Sequence, residues 1–283
     1  MISTTELPIL IDPNNIMTRT LVSQHTQFMR NRLLVCIAIV WTMLVSTPTY
    51  SADAASASAV KPEADQLLRQ MSDYLISLDQ FSVRAENTED VLLPSGQKLQ
   101  MGYSVELFVQ RPDRLRANVR GDRDNQDLFY DGETITLLDT DLNYYATIAA
   151  PPELDAALDY AMEAFNLRAP LSDLVYTNAY AALTKNTESG FYVGMSEIRG
   201  VECHHLAFVQ HDIDWQVWIE NSETPLPRKL VITDKWVTGA PQFVAILSDW
   251  NVSPHLQDKL FTFVEPDKGE KIEFLPVDQT RMP

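Results

Sequence analysis

An α+β fold, built on an antiparallel meander curved toward a barrel, follows from three observations on the sequence. Short strand-like runs recur at even spacing with turn residues between them, on both sides of the chain's middle. One amphipathic helix precedes these runs and a second helical segment interrupts them. The third observation is the stretch Trp215–Asp234, which reads as a strand, a short Pro-containing connection and a second strand. Trp215, Val217 and Ile219 share one face there, and Gln216, Trp218 and Glu220 the other. Leu230 and Ile232 alternate with Lys229, Val231 and Thr233. With apolar groups on both faces, neither is simply wetted: one can pack on a core while the other lines a cavity or sits under a lid. The expected sheet has about 11 or 12 strands, counted from the period-2 runs.

The first 54 residues differ from the rest. Arg30 and Arg32 precede the 13-residue apolar run Leu33–Val45, and small and polar residues follow, with Ala52-Asp-Ala54 as an A-x-A cleavage site. This is the layout of a secretory signal peptide. Spanning a bilayer takes about 20 apolar residues, which makes a retained anchor the weaker reading. The expectation is an exported protein, cleaved near Ala54, with one domain over residues 55–283 and no membrane span in the mature chain. Residues 1–28 are long and mixed for a leader, and Met17 and Met29 are alternative starts. Cys36 follows Val35 inside the apolar run, whereas a lipoprotein signal has a small residue before its modified Cys. It reads as a small hydrophobe.

Lys61-Pro-Glu-Ala64 opens a helix, with Pro in its first turn and acidic groups near its positive end. Ala64, Leu67, Leu68, Met71, Leu75 and Leu78 give it one apolar stripe, and it is expected to end near Leu78-Asp-Gln80. Strands are then expected over Phe81–Thr88, Lys98–Gln110, Leu115–Gly121, Leu128–Tyr130, Thr134–Asp139 and Tyr144–Ile148. Turn residues separate them at Pro94-Ser-Gly96, Arg111-Pro-Asp113, Gly121-Asp122, Asp131-Gly132 and Asp139–Asn143. Pro151-Pro-Glu-Leu-Asp155 starts the insertion, with Leu154, Ala157, Leu158, Ala161, Met162 and Phe165 along one side. Short helical pieces follow near Leu171–Val175 and Asn178–Leu183. Strands resume over Gly190–Ser196, Val201–Gln210, Trp215–Glu220, Arg228–Thr233, Gln242–Trp250 and Leu260–Val264.

Composition narrows the function. The formal net charge is -17, and the leader's three basic and three acidic residues leave that balance unchanged in the mature chain. Nucleic-acid binding rests on Lys and Arg neutralising phosphates, and docking to anionic lipid rests on the same charges. Both are disfavoured. Only Cys203 remains after cleavage, so no internal disulfide can form, and a domain of this length does not need one.

Cys203, His204 and His205, with His211 nearby, are the only cluster with metal-ligand atom types. Cys203 and His205 share a strand face, but the spacing is not that of a finger or of a helical H-E-x-x-H site. A core Cys with hydrogen-bonded His residues is the plainer reading. No helix N-terminus precedes Cys203 to activate it as a nucleophile. Asp122 with Asp124, and Asp212 with Asp214, lack the full calcium-loop spacing and read as solvated turns. No phosphate loop or nucleophile elbow is present, and no cofactor or enzymatic activity is expected. The helical stripes pack on the sheet, and part of them can also line a cavity, where Met side chains adapt to an acyl chain. The candidate lining is Leu68, Met71 and Leu75 on the first helix, Leu158, Met162 and Phe165 on the second, and Trp218 on the sheet.

Several phrases carry a resemblance. Val109-Gln-Arg-Pro-Asp-Arg-Leu-Arg116 resembles the strand–Arg-Pro–strand turn of periplasmic lipoprotein carriers of the LolA and LolB type. Tyr130-Asp-Gly-Glu-Thr-Ile-Thr-Leu137, followed by Asp141-Leu-Asn-Tyr-Tyr145, is similar to their Asp-Gly hairpin. Trp218-Ile-Glu with Pro225-Leu-Pro-Arg-Lys-Leu230 is similar to their late hairpin. Closer still, Ala64–Leu275 resembles a family of predicted periplasmic bacterial proteins of unknown function. Its members share phrases like Gly200-Val-Glu-Cys-His-His-Leu206, Trp215-Gln-Val-Trp-Ile219 and Pro227-Arg-Lys-Leu-Val-Ile-Thr233. The resemblance implies a half-open antiparallel barrel wrapped around helices, with an apolar cavity, in the periplasm. It does not fix the cargo. The expected function is a binding or carrier protein for a lipid, an acylated segment or another apolar ligand. The alternative is an envelope sensory or structural module that meets a protein partner without a small ligand.

Overall fold

The computed structural model describes residues 59–165 and 167–274. The expected leader, and with it the readings of a signal peptide, a cleavage site, alternative starts and Cys36, lies outside the described residues. Among the described residues, twelve strands form one curved sheet that does not close into a barrel. β1 (Gln80–Leu92) runs through its middle. On one side follow β2 (Lys98–Gln110), β3 (Arg114–Gly121), β4 (Asn125–Tyr130), β5 (Thr134–Asp139) and β6 (Tyr144–Ala149). On the other lie β11 (Gln242–Asn251), β10 (Pro227–Asp234), β9 (Ile213–Glu220), β8 (Val201–Gln210) and β7 (Thr187–Ile198). These pairings are all antiparallel. β12 (Glu270–Lys271) adds a short parallel edge to β6, a departure from the expected antiparallel pattern.

Helix α1 (Pro62–Ile76) has Pro at its start, Glu63 and Asp65 in its first turn, and Ala64, Leu68, Met71, Ser72 and Leu75 buried. The buried Ser72 hydroxyl donates to the Leu68 carbonyl four residues back at 2.8 Å, which satisfies it inside the apolar stripe. The helix stops short of Leu78 because Gln80 is already paired with Gln110 in the sheet. α2 (Leu154–Phe165) and α3 (Ala179–Thr184) form the insertion, with a 3-10 turn over Ser172–Leu174 between them. Asn178 caps α3 by accepting from the Ala181 amide at 3.0 Å.

β1 extends past Thr88 because its polar residues there have partners: Glu89 with Arg168, and Asp90 with Lys98. The strand expected at Leu260–Val264 is absent. A 3-10 turn over Asp258–Leu260 leads into an irregular segment crossing the outer face of the sheet. Phe263 sits there against Phe129 and Tyr145, with ring centroids 5.5 and 4.8 Å apart. The apolar alternation is met by packing rather than by pairing. The large core lies on the inner face, under α1, α2 and α3. A smaller cluster of Cys203, Trp218 and Val231 lies on the outer face.

Candidate functional site

The apolar stripe of α2 lies on the inner face of β3, β4 and β5. Leu154, Ala157, Leu158 and Ala161 face Leu115, Leu128, Tyr130 and Ile135, with Leu167 closing the end. Strand alternation places the sheet residues on one side, and the period of the helix places its own. Between the two layers is a void of about 10 Å³. Pockets for ligands of ordinary size hold about 300–1,000 Å³, and this one is at the limit for a single water. In this arrangement α2 is packed down. Its lining is apolar throughout, because the Tyr130 hydroxyl turns away to donate to the Pro151 carbonyl at 2.7 Å.

Polar ties hold the insertion at its start and along its outer side. The Leu154 amide donates to Pro112 at 3.1 Å, joining α2 to the β2–β3 turn. The Arg111 guanidinium from that turn donates to the Val175 carbonyl at 2.6 Å, and burial pulls its pKa down. The Thr177 amide and hydroxyl donate to Asp155, and the Tyr176 hydroxyl donates to Asp159 at 2.6 Å. Burial first, then the Asp159 carboxylate, pushes the Tyr176 phenol well up. Asp173 is also pushed up, mainly by burial.

Of the expected lining, only Leu158 borders the void. Leu68, Met71 and Leu75 are fully buried on the inner side of α1, which packs against β7, β9 and α3. Phe165 is buried near the end of α2, edge-on to Tyr160 and Phe274, and Met162 is half-buried, accepting from the Ser172 hydroxyl at 3.9 Å. Trp218 is on the opposite face, and the seven do not form one lining. The strand residues around the void were missed, although their alternation was visible, because the sequence does not say which strands α2 covers. A second, open cleft of about 270 Å³ lies between segments 77–80 and 252–254 and is mainly polar.

On the outer face, the His205 ring stacks on Trp218 with centroids 4.0 Å apart, and the Lys229 ammonium sits 4.5 Å from the indole. His205 Nε2 is 3.0 Å from Gln216 Oε1. Burial, helped by Lys229, lowers the His205 pKa against the opposing effect of Gln216. Burial raises the Cys203 thiol to about 11. His204 is on the other face, 3.3 Å from the Tyr192 hydroxyl and 3.1 Å from Asn221. Among the described residues, no three His, Cys, Asp or Glu side chains come together as a metal site. The Asp122 carboxylate accepts from the Gly102 amide at 2.6 Å, and Asp214 pairs with Lys235 at 3.3 Å.

The fold and this interior define a class: a half-open antiparallel sheet whose apolar concave face is covered by helices. The chain belongs to the predicted periplasmic protein family DUF2092, which matches residues 64–275. No curated protein matches it. Among solved structures, it is similar to an uncharacterized conserved protein from Thermus thermophilus, at 7% identity and TM-score 0.46, covering 75% of this chain and 99% of that one. It is similar to the lipoprotein LppX of Mycobacterium tuberculosis, at 13% identity and TM-score 0.45, covering 70% and 100%. A LolA superfamily protein from Nitrosomonas europaea is similar at 13% identity and TM-score 0.35, covering 71% and 97%. Among the described residues, no helix is long and apolar enough to cross a membrane.

Proposed function

We propose that this is a periplasmic binding or carrier protein that takes a lipid or acylated ligand beneath α2, with the helix acting as a lid. The observation carrying this reading is the wholly apolar interface between α2 and the inner faces of β3–β5. Opening the lid bares Leu154 and Leu158, at about 1.5–3 kcal/mol each, and the methyls of Ala157 and Ala161, at about 0.8 kcal/mol each, or roughly 5–8 kcal/mol together. A twelve-carbon chain gains about 10 kcal/mol on burial, at about 0.8 per methylene. The exchange of helix for ligand is therefore close to balanced, as reversible loading and release require. No catalytic group is needed.

A second reading, a module that binds a protein partner, is favoured by a different observation. Phe191, Val193 and Met195 on the edge strand β7 are each about half exposed, at 50%, 48% and 47%. Among the described residues, only Ala59–Lys61 pair with the outer edge of that strand, around Gly190. Native mass spectrometry of the mature protein, purified from its own periplasm without detergent and followed by solvent extraction, separates the two. A reproducible added mass that extracts as lipid is expected. A bare polypeptide mass that stays bare after incubation with a long-chain lipid overturns the carrier reading in favour of the partner module.

A further inference from the structure

The inner face is apolar beneath α2 but carries buried polar groups on β1, beside the C-terminal end of that helix. β1 puts Phe81, Val83, Ala85, Asn87 and Glu89 on that face in alternation, all of them buried. Asn87 is 3% exposed, and among the described residues neither its carboxamide oxygen nor its nitrogen has a hydrogen-bond partner. An unpaired buried amide costs about 1–3 kcal/mol, whereas an apolar residue of similar shape there costs nothing of the kind. A polar group held at a loss in the middle of the central strand points to a use outside folding.

Its surroundings define what it can bind. Directly across the strands lie Tyr103 on β2 and Ala245 on β11, a phenol on one side and a methyl, which offers no hydrogen-bond partner, on the other. Tyr103 is opposite Gly121 on β3, where a Cβ would come 2.4 Å from its own, so the absent side chain keeps the ring in place. Burial, then the Glu89 carboxylate, pushes the Tyr103 hydroxyl up to about 12, against Arg168, so it keeps its proton as a donor. Two residues along β1, Glu89 accepts from Arg168 at 2.7 Å. Arg168 directly follows Leu167, which closes the apolar void. Met101, Tyr103 and Val105 on the same face of β2 are half-buried, so this end of the concave face reaches solvent.

We propose that Asn87 and Tyr103, bordered by the Glu89–Arg168 pair, seat the polar head of an amphiphile whose acyl tail lies beneath α2, and that this head is uncharged. The proposal rests on the lid reading above. An amide or hydroxyl head offers the donor and acceptor that a carboxamide requires. An anionic head would meet Glu89, and a cationic head would meet Arg168. Because these two charges already neutralise each other, the site offers no net attraction to either.

The test uses four probes that share a dodecyl-length chain, all kept below self-association. They are a monoacylglycerol, a primary amide, an alkyl phosphate and an alkyltrimethylammonium. Binding and thermal unfolding are measured for the mature protein and for Asn87→Leu and Tyr103→Phe. The two uncharged probes should bind about tenfold more tightly than the charged ones, and Asn87→Leu should lose about that factor for the uncharged probes alone. Its unfolding midpoint should stay level or rise, as removal of an unpaired buried amide implies. Tyr103→Phe should weaken the same two probes and serves if the Leu variant does not fold. Equal binding of all four heads, or an unchanged ranking in both variants, overturns the head site while leaving the lid reading intact. So does a lowered midpoint in Asn87→Leu with the preference preserved, which makes Asn87 structural. If no probe binds at all, the lid reading itself fails.

Discussion

Two side chains of the outer face, Cys203 and His205, give the clearest chemistry of single residues. The reactive form of a cysteine is its thiolate. Cys203 has no exposure and its thiol is pushed to about 11. In the native protein at about pH 8 it should resist iodoacetamide, and it should react fully once the chain is unfolded. Fast native labelling would show that the outer cluster opens locally. His205 is depressed below 6.5 in the fold, so between that lower value and 6.5 the unfolded chain binds more protons than the folded one. Its contribution is complete above 6.5 and is lost as the pH falls through the folded value. His205→Gln should flatten the fall in urea midpoint between about pH 7.5 and 5.5. An unchanged slope would assign that fall to other groups. Asp65, held below 3.8 by Arg69 and Tyr180, loses its contribution only in more acidic solution, outside this window.

The two long helices were legible in the sequence because a stripe at period 3.6 has one physical solution. The hairpin strands were legible because turn residues mark them. Two misreadings have particular causes. Leu260–Val264 alternates like a strand, but its aromatic residue covers Phe129 and Tyr145, and side-chain burial leaves the same pattern whichever element achieves it. β1 runs on to Leu92 rather than stopping at Thr88, because Glu89 and Asp90 look like turn residues until Arg168 and Lys98 arrive from elsewhere. Alternation did set Trp218 opposite Trp215, yet nothing in the sequence says which face turns inward. For α2, the decisive variants are Met162→Asp and Phe165→Asp. Half-buried Met162 should lose acyl-probe affinity with a stability cost of about 1 kcal/mol or less, while buried Phe165 should lose several. Parallel losses of binding and midpoint in Met162→Asp would make the helix ordinary core rather than a lid.

At the scale of the whole molecule, the sheet consists of two blocks of neighbouring strands, β1–β6 and β7–β11, each paired in chain order. Local hairpins account for every pairing inside a block. One seam, β1 against β11, joins the blocks. Period-2 runs and turn spacing located eleven of the twelve strands, but no local signal could give the seam, because its two strands share only complementary faces. The tail then fastens one side of the assembly, through β12 on β6 and Phe274 against Phe165.

The seam has a consequence for how the chain reaches this state. Roughly 160 residues separate Arg84 from its partner Ser248, a long closure whose entropy predicts that local hairpins form first and that this pairing limits the folding rate. Until β11 arrives, the future central strand is a bare edge, open to the wrong neighbour. Arg84, Glu86 and Asp90 line its outward side, and charges on an open edge discourage association with other chains. The charged outward side of β1 thus has two uses in turn, discouraging wrong pairings while the strand is a bare edge and then lying in the middle of the finished open sheet.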